Sequence, residues 1–76
     1  MVLTKDVGTF WKFPDDSLFY LIIGKFDDYY SSVYYDTLSG DIYYMTLSED
    51  STEVMVPSDN LEINNILIDE LSKGGI

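Results

Sequence analysis

Along the first 56 residues, short blocks rich in aromatic and β-branched side chains alternate with polar breaks built from turn formers. Pro14-Asp15-Asp16-Ser17 separates residues 9–13 from 18–26, and Asp27-Asp28 ends that second block. Leu38-Ser39-Gly40-Asp41 follows 32–36, and Ser48-Glu49-Asp50-Ser51 follows 42–47. Asp and Ser side chains hydrogen-bond nearby backbone in turns, and Gly supplies positive φ. The blocks between them suit a pleated surface. The pattern predicts five strands over 8–13, 18–26, 30–36, 41–47 and 52–56. Connections of a few residues make each strand antiparallel to the next. The second strand is apolar on both faces and belongs in the centre, with Gly24 marking a bulge or a close approach.

The period changes after Pro57. Ile63, Leu67 and Leu71, with Ile66 beside them, form one apolar stripe at helical spacing. Asp59-Asn60-Leu61-Glu62 fits a capping box, Lys73 complements the C-terminal dipole, and Gly74-Gly75 supplies a stop. The predicted helix covers 60–73 and packs on one sheet face. The expected fold is α+β: a single domain over 1–76, a five-stranded antiparallel meander sheet packed by one C-terminal helix.

Composition limits the chemistry. Seventy-six residues sit near the lower limit for a self-supporting core, and without cysteine there is no disulfide to help. Fourteen acidic residues face four lysines, a formal charge of −10, with no arginine or histidine. Apolar content of 46% separates this chain from an acidic disordered tail. The N-terminus, Met1-Val2-Leu3-Thr4-Lys5-Asp6, lacks the basic start and apolar stretch of a signal peptide. The longest apolar run is Leu18 to Ile23, six residues against the ~20 a membrane span needs. A soluble cytoplasmic protein is the expectation.

With the elements placed, one stretch resembles the strand core of SUKH domains. Tyr20-Leu21-Ile22-Ile23-Gly24 is followed by Val33-Tyr34-Tyr35-Asp36 and by Ser39-Gly40-Asp41-Ile42-Tyr43-Tyr44. In that superfamily a strand ending in Ile-Gly precedes a hairpin of this kind, then a further strand and a closing helix. The likeness covers roughly residues 18–72. It implies a non-enzymatic immunity protein that binds and neutralises a secreted toxin, often a nuclease or a nucleic-acid deaminase.

The residues themselves exclude several chemistries. Without histidine or cysteine there is no side chain with an ordinary pKa near neutrality and no ready nucleophile, so no catalytic residue is expected. Asp15/Asp16 and Asp27/Asp28 are paired carboxylates, but strand neighbours point to opposite faces and solvated turns leave acids ordinary. No D-x-D-x-D-G loop is present, zinc lacks thiolate and imidazole ligands, and no metal or cofactor is expected. Exposed tyrosines can stack on bases, yet this charge repels phosphate, so direct nucleic-acid binding is not expected. An anionic membrane surface is excluded on the same ground.

Dispersed aspartates also end strands, discourage edge pairing and keep a small apolar protein dissolved. Mixed charges would do that with less self-repulsion, so the excess points to a basic protein partner. The expected function is an acidic inhibitor of a nuclease or other nucleic-acid-binding protein, as an immunity protein or a phage-type DNA mimic. The alternative is a small interaction or assembly module, such as a homodimer through a sheet edge, whose acidity serves solubility. The expected contacts are Asp27, Asp28, Asp36, Asp41, Glu49 and Asp50, with Tyr30, Tyr34 and Tyr44 as the dry centre.

Overall fold

Five antiparallel strands form one open sheet in the order β4-β3-β2-β1-β5, and a C-terminal helix packs on one of its faces, an α+β fold. The elements are β1 (Phe10–Lys12), β2 (Leu18–Lys25), β3 (Tyr29–Asp36), β4 (Ile42–Ser48), α1 (Glu49–Thr52), β5 (Val56–Pro57) and α2 (Leu61–Gly74). The computed structural model describes residues 5–74. Residues 1–4 of the segment read against a signal peptide, and Gly75 of the expected helix stop, lie outside the described residues.

The doubly apolar β2 is the central strand. Its alternate residues enter two cores. Leu21 joins Val33, Ile63 and Leu67 beneath α2, with Phe10, Phe19, Tyr35 and Leu71 around them. Tyr20 and Ile22 join Trp11, Tyr30, Leu47 and Met55 on the other face. The β2–β3 register slips between Ile22 and Gly24. A Cβ on Gly24 would meet Phe26 Cε2 and Ser31 Cβ at 3.1 Å each, so both a bulge and a close approach are present. Gly40 turns the β3–β4 connection at φ +78°, where Asp36 Oδ1 accepts from the Leu38 N–H at 2.9 Å.

Two local expectations need correction. The predicted strand over 52–56 is instead a helical turn followed by a two-residue strand. Ser48 ends β4 as an N-cap, its Oγ accepting from the Ser51 N–H at 3.2 Å, with Glu49 and Asp50 in the first turn. A capping serine followed by acids starts a helix as readily as it forms a hairpin tip. The chain then crosses the face opposite α2, burying Thr52 and Met55, and β5 pairs with β1 through Lys12↔Val56 and Trp11↔Pro57. The meander therefore holds from β1 to β4, and the fifth strand lies at the far edge. The helix cap is also displaced by one residue: Asn60 Oδ1 accepts from the Ile63 N–H at 3.2 Å. With Asn60 as cap, Glu62 falls one position short of closing the box.

Leu67 is 0% exposed at the centre of the helix–sheet contact, whereas Leu61 is 74% exposed on the same helix. A chain of this length has a total stability of about 4–11 kcal/mol. Leu67→Ala is expected to remove about 2–5 kcal/mol of it and Leu61→Ala no more than about 0.5 kcal/mol. Urea unfolding of both variants checks this; equal losses would place the core elsewhere.

Candidate functional site

The face opposite α2 carries a row of aromatic rings, one from each of four strands. The register places Trp11 beside Tyr20, Tyr20 beside Tyr34, and Tyr34 beside Tyr43. Ring centroids are 5.2 Å apart for Tyr20–Tyr34 and 5.5 Å for Tyr34–Tyr43, and Phe13 meets Tyr20 edge-on at 5.6 Å. The crossing segment covers only the β1 end of this row. Exposure rises outward, from buried Trp11 and Tyr20 through half-buried Tyr34 to Tyr43 at 47%. The outer rings are thus supported from beneath and open above.

Three carboxylates approach the row from one end of the sheet. The Tyr43 hydroxyl donates to Asp41 Oδ2 at 3.2 Å. That hydrogen bond, the Asp41 charge, partial desolvation and the Tyr34 and Asp36 charges together raise the Tyr43 pKa. Burial pushes the Tyr20 phenol up to about 12, with the Asp16 charge and Tyr34 adding to it. Phenols with raised pKa values beside aspartate side chains present O–H donors and carboxyl acceptors on one surface.

A second acidic group lies at the opposite end. Asp27 and Asp28 form the β2–β3 connection, and the Glu49 N–H donates to the Asp28 carbonyl at 3.1 Å, bringing α1 with Glu49 and Asp50 beside them. Phe26 and Tyr29 stack at that end, 4.6 Å between centroids. At ~3.3 Å per residue, Asp41 and Glu49 lie ~26 Å apart along β4.

The nine expected contact residues therefore divide. Asp36 and Asp41 stand with Tyr34; Asp27, Asp28, Glu49 and Asp50 form the far group. Tyr30 is 6% exposed within the core and reaches no partner surface, because its ring alternates onto the face that Leu47 and Met55 close. Tyr44 is 55% exposed but pairs with Val33, a residue of the α2-side core, so it faces away from Tyr34. Tyr43 and the Asp16 carboxylate join the candidate site from outside those nine, while Tyr20, 4% exposed, only supports the row from within the core. One signal was readable: Tyr34 and Tyr43 are equidistant from the Leu38-Ser39 tip, so a hairpin centred there pairs them.

The lysines are few: Lys25 ends β2 opposite Tyr30, at the Asp27–Asp28 end of the sheet. Between Lys25 and Lys73 the chain carries eleven acids and no lysine or arginine. Lys5 Nζ lies 4.4 Å from the Trp11 ring centroid, its pKa lowered by desolvation against an opposing Glu53 charge. Lys12 Nζ donates to the Phe13 and Pro14 carbonyls at 2.9 and 3.2 Å. Lys73 pairs with Asp69 at 3.6 Å on the exposed helix surface, an ion pair of little energetic weight. Among the described residues, no ion pair neutralises the carboxylates at either sheet end. Nor do three acids there converge as metal ligands, and among the described residues no helix is long and apolar enough to cross a membrane.

No family model, curated protein or solved structure matches this chain.

Two measurements check the electrostatics. In an ultraviolet titration, one phenol of the native chain, Tyr20, should ionise near 12. Because its folded pKa lies above the unfolded value of about 10, the associated stability is intact below pH 10 and disappears as pH rises through 12. Asp41→Asn should lower the Tyr43 pKa and leave Tyr20 unmoved; no change at Tyr43 would contradict the contact. Added salt should raise the thermal midpoint by screening the carboxylates from one another. A midpoint that stays flat or falls on going to moderate sodium chloride would argue against a repulsive surface.

Proposed function

We propose that this protein is a non-enzymatic inhibitor that docks on the basic, nucleic-acid-binding surface of another protein. Its carboxylates stand in for phosphates, and the open end of the tyrosine row supplies the desolvated centre of the contact. The feature that most supports this reading is the open Tyr34–Tyr43 pair flanked by Asp36 and Asp41, with Asp16 beside the adjoining Tyr20. An acidic surface kept only for solubility gains nothing from exposed rings beside its charges, whereas interfaces use rigid aromatic anchors within a polar rim. Opposite potentials also steer encounter, with association rates toward ~10⁸ M⁻¹s⁻¹ at low salt.

The resemblance of the strand core to SUKH domains favours an immunity protein, for which the partner is a secreted nuclease or nucleic-acid deaminase. A phage-type DNA mimic would use the same charges against a different basic protein. Either role is compatible with a cytoplasmic site of action.

The test begins with capture of partners from native host lysate on the immobilised chain, and continues with a nuclease or deaminase assay on whatever is retained. The wild type is expected to inhibit a basic enzyme, to compete with DNA or RNA for it, and to release it in high salt. Replacing Asp36 and Asp41 together by lysine should weaken binding at least about a hundredfold, a change of about 2.7 kcal/mol. Tyr34→Ala should also weaken it. Affinity that survives charge reversal but not loss of Tyr34 would reject phosphate mimicry and leave an uncharged interaction module.

A further inference from the structure

The two edges of the sheet are finished differently. On the β1 side the edge strand is β5, two residues long, ending in Pro57, which offers no backbone donor. On the other side β4 runs seven residues, Ile42–Ser48, with no strand beyond it among the described residues. It carries no lysine, proline or charge within its length, and its pairing with β3 continues without a slip from Tyr35↔Ile42 to Tyr29↔Ser48. Natural sheets blunt such edges with charge, proline, bulges or short strands. Here none of those devices is used.

Backbone polarity along this edge follows from the hairpin. The Asp36 N–H donates to the Asp41 carbonyl at 2.9 Å. Hydrogen-bonded pairs then recur every second residue, at Tyr34/Tyr43, Ser32/Met45 and Tyr30/Leu47. Ile42, Tyr44 and Thr46 therefore turn their N–H and C=O groups outward. Beside them Tyr43, Tyr44 and Met45 are 47, 55 and 41% exposed. The edge is thus a template of free backbone groups with apolar side chains on both faces, and acids close it at both ends: Asp36 and Asp41 at one, Asp28, Glu49 and Asp50 at the other.

We propose, resting on the docking function above, that β4 accepts an extended segment of the partner as a sixth strand, and that this segment carries a lysine or arginine at each end. Backbone hydrogen bonds to Ile42, Tyr44 and Thr46 supply affinity that is independent of sequence. The terminal cations, ~26 Å apart in a nine-residue strand, meet the two acidic groups whichever way the strand runs. On the tyrosine face the incoming strand lies beside Tyr43 and extends the aromatic row. A second copy of this chain fits poorly. Two-fold antiparallel pairing would set Asp41 of one copy against the Glu49 end of the other, between molecules of charge −10 each.

The test uses the full chain, ¹⁵N-labelled, with three synthetic probes. The first is a nine-residue peptide of alternating threonine and valine with a lysine at each end. The second is the same peptide with proline at its centre, and the third is nona-lysine. The first should slow amide exchange at Ile42, Tyr44 and Thr46 at least tenfold, with little change at Tyr43 and Met45, which are already bonded to β3. It should bind at least tenfold more tightly than the proline peptide. Thr46→Pro, which removes an outward N–H and no ladder bond, should abolish the protection while circular dichroism stays native.

Equal binding of the first two peptides, or binding without protection at those three amides, overturns the strand-addition inference. If nona-lysine then still binds in a salt-sensitive way that the Asp36→Lys, Asp41→Lys variant loses, the docking function stands without it. Indifference to all three probes removes both. Sedimentation as a dimer with β4 amides protected before any peptide is added assigns the edge to a second copy, and likewise overturns the inference.

Discussion

Every part of this fold answers to one constraint: β2 is apolar on both faces, so a sheet of 76 residues has to be covered twice. A small chain cannot supply two helices for the purpose. The helix stripe of Ile63, Leu67 and Leu71 covers the centre of the Leu21 face, burying Leu21 and Val33 and leaving Tyr44 exposed on β4. The Tyr20 face receives only the crossing segment with Thr52 and Met55, together with Lys5 lying over Trp11. That cover reaches from the end of β4 back to β1, and stops short of the outer rings. The open tyrosine row is what remains when the second face is closed economically.

The crossing also decides which edge is free. Had the residues after Ser48 turned back as a hairpin, a fifth strand would have masked β4. Because Ser48 caps a helical turn instead, the chain leaves β4 and pairs with β1, whose edge it blunts with Pro57. One local capping event thus exposes the aromatic strand and protects the opposite side. The site and the sheet's asymmetry have the same origin.

This explains what could be read from the sequence. The central place of β2, the bulge at Gly24, the turn at Gly40 and the amphipathic helix each depend on residues close in the chain, and each was legible. The Leu61–Gly74 helix was visible in its stripe, although its cap lay one residue away, at Asn60, because Asp and Asn cap about equally well. The segment over 52–56 was misread because Thr, Val, Met and Val suit a strand, while nothing local says which edge it joins. Tyr30 and Tyr44 were misplaced for a related reason. A tyrosine dyad certifies that its rings face opposite ways, but which face stays open depends on the distant crossing at Thr52–Met55. Among the acids, the turn assignment held for Asp15, Asp16, Asp27, Asp28 and Asp41 but not for Glu49 and Asp50, which open α1, and the grouping into two ends was not visible, since it needs the hairpin register.

The separation of those two groups bears on how the molecule tolerates its charge. At physiological ionic strength the Debye length is about 8 Å, so clusters ~26 Å apart barely feel one another. Repulsion is then local, among two to four carboxylates at each end, and the apolar strand between them is spared. A partner presenting cations at one end only would gain from one cluster and leave the other solvated. One that spans β4 engages both, and the second contact comes at the high effective concentration set by the first. Under the proposed docking, charge at the two ends of an uncharged edge would therefore measure the length of a bound segment as well as its sign, a discrimination that an even scatter of the same carboxylates would not provide.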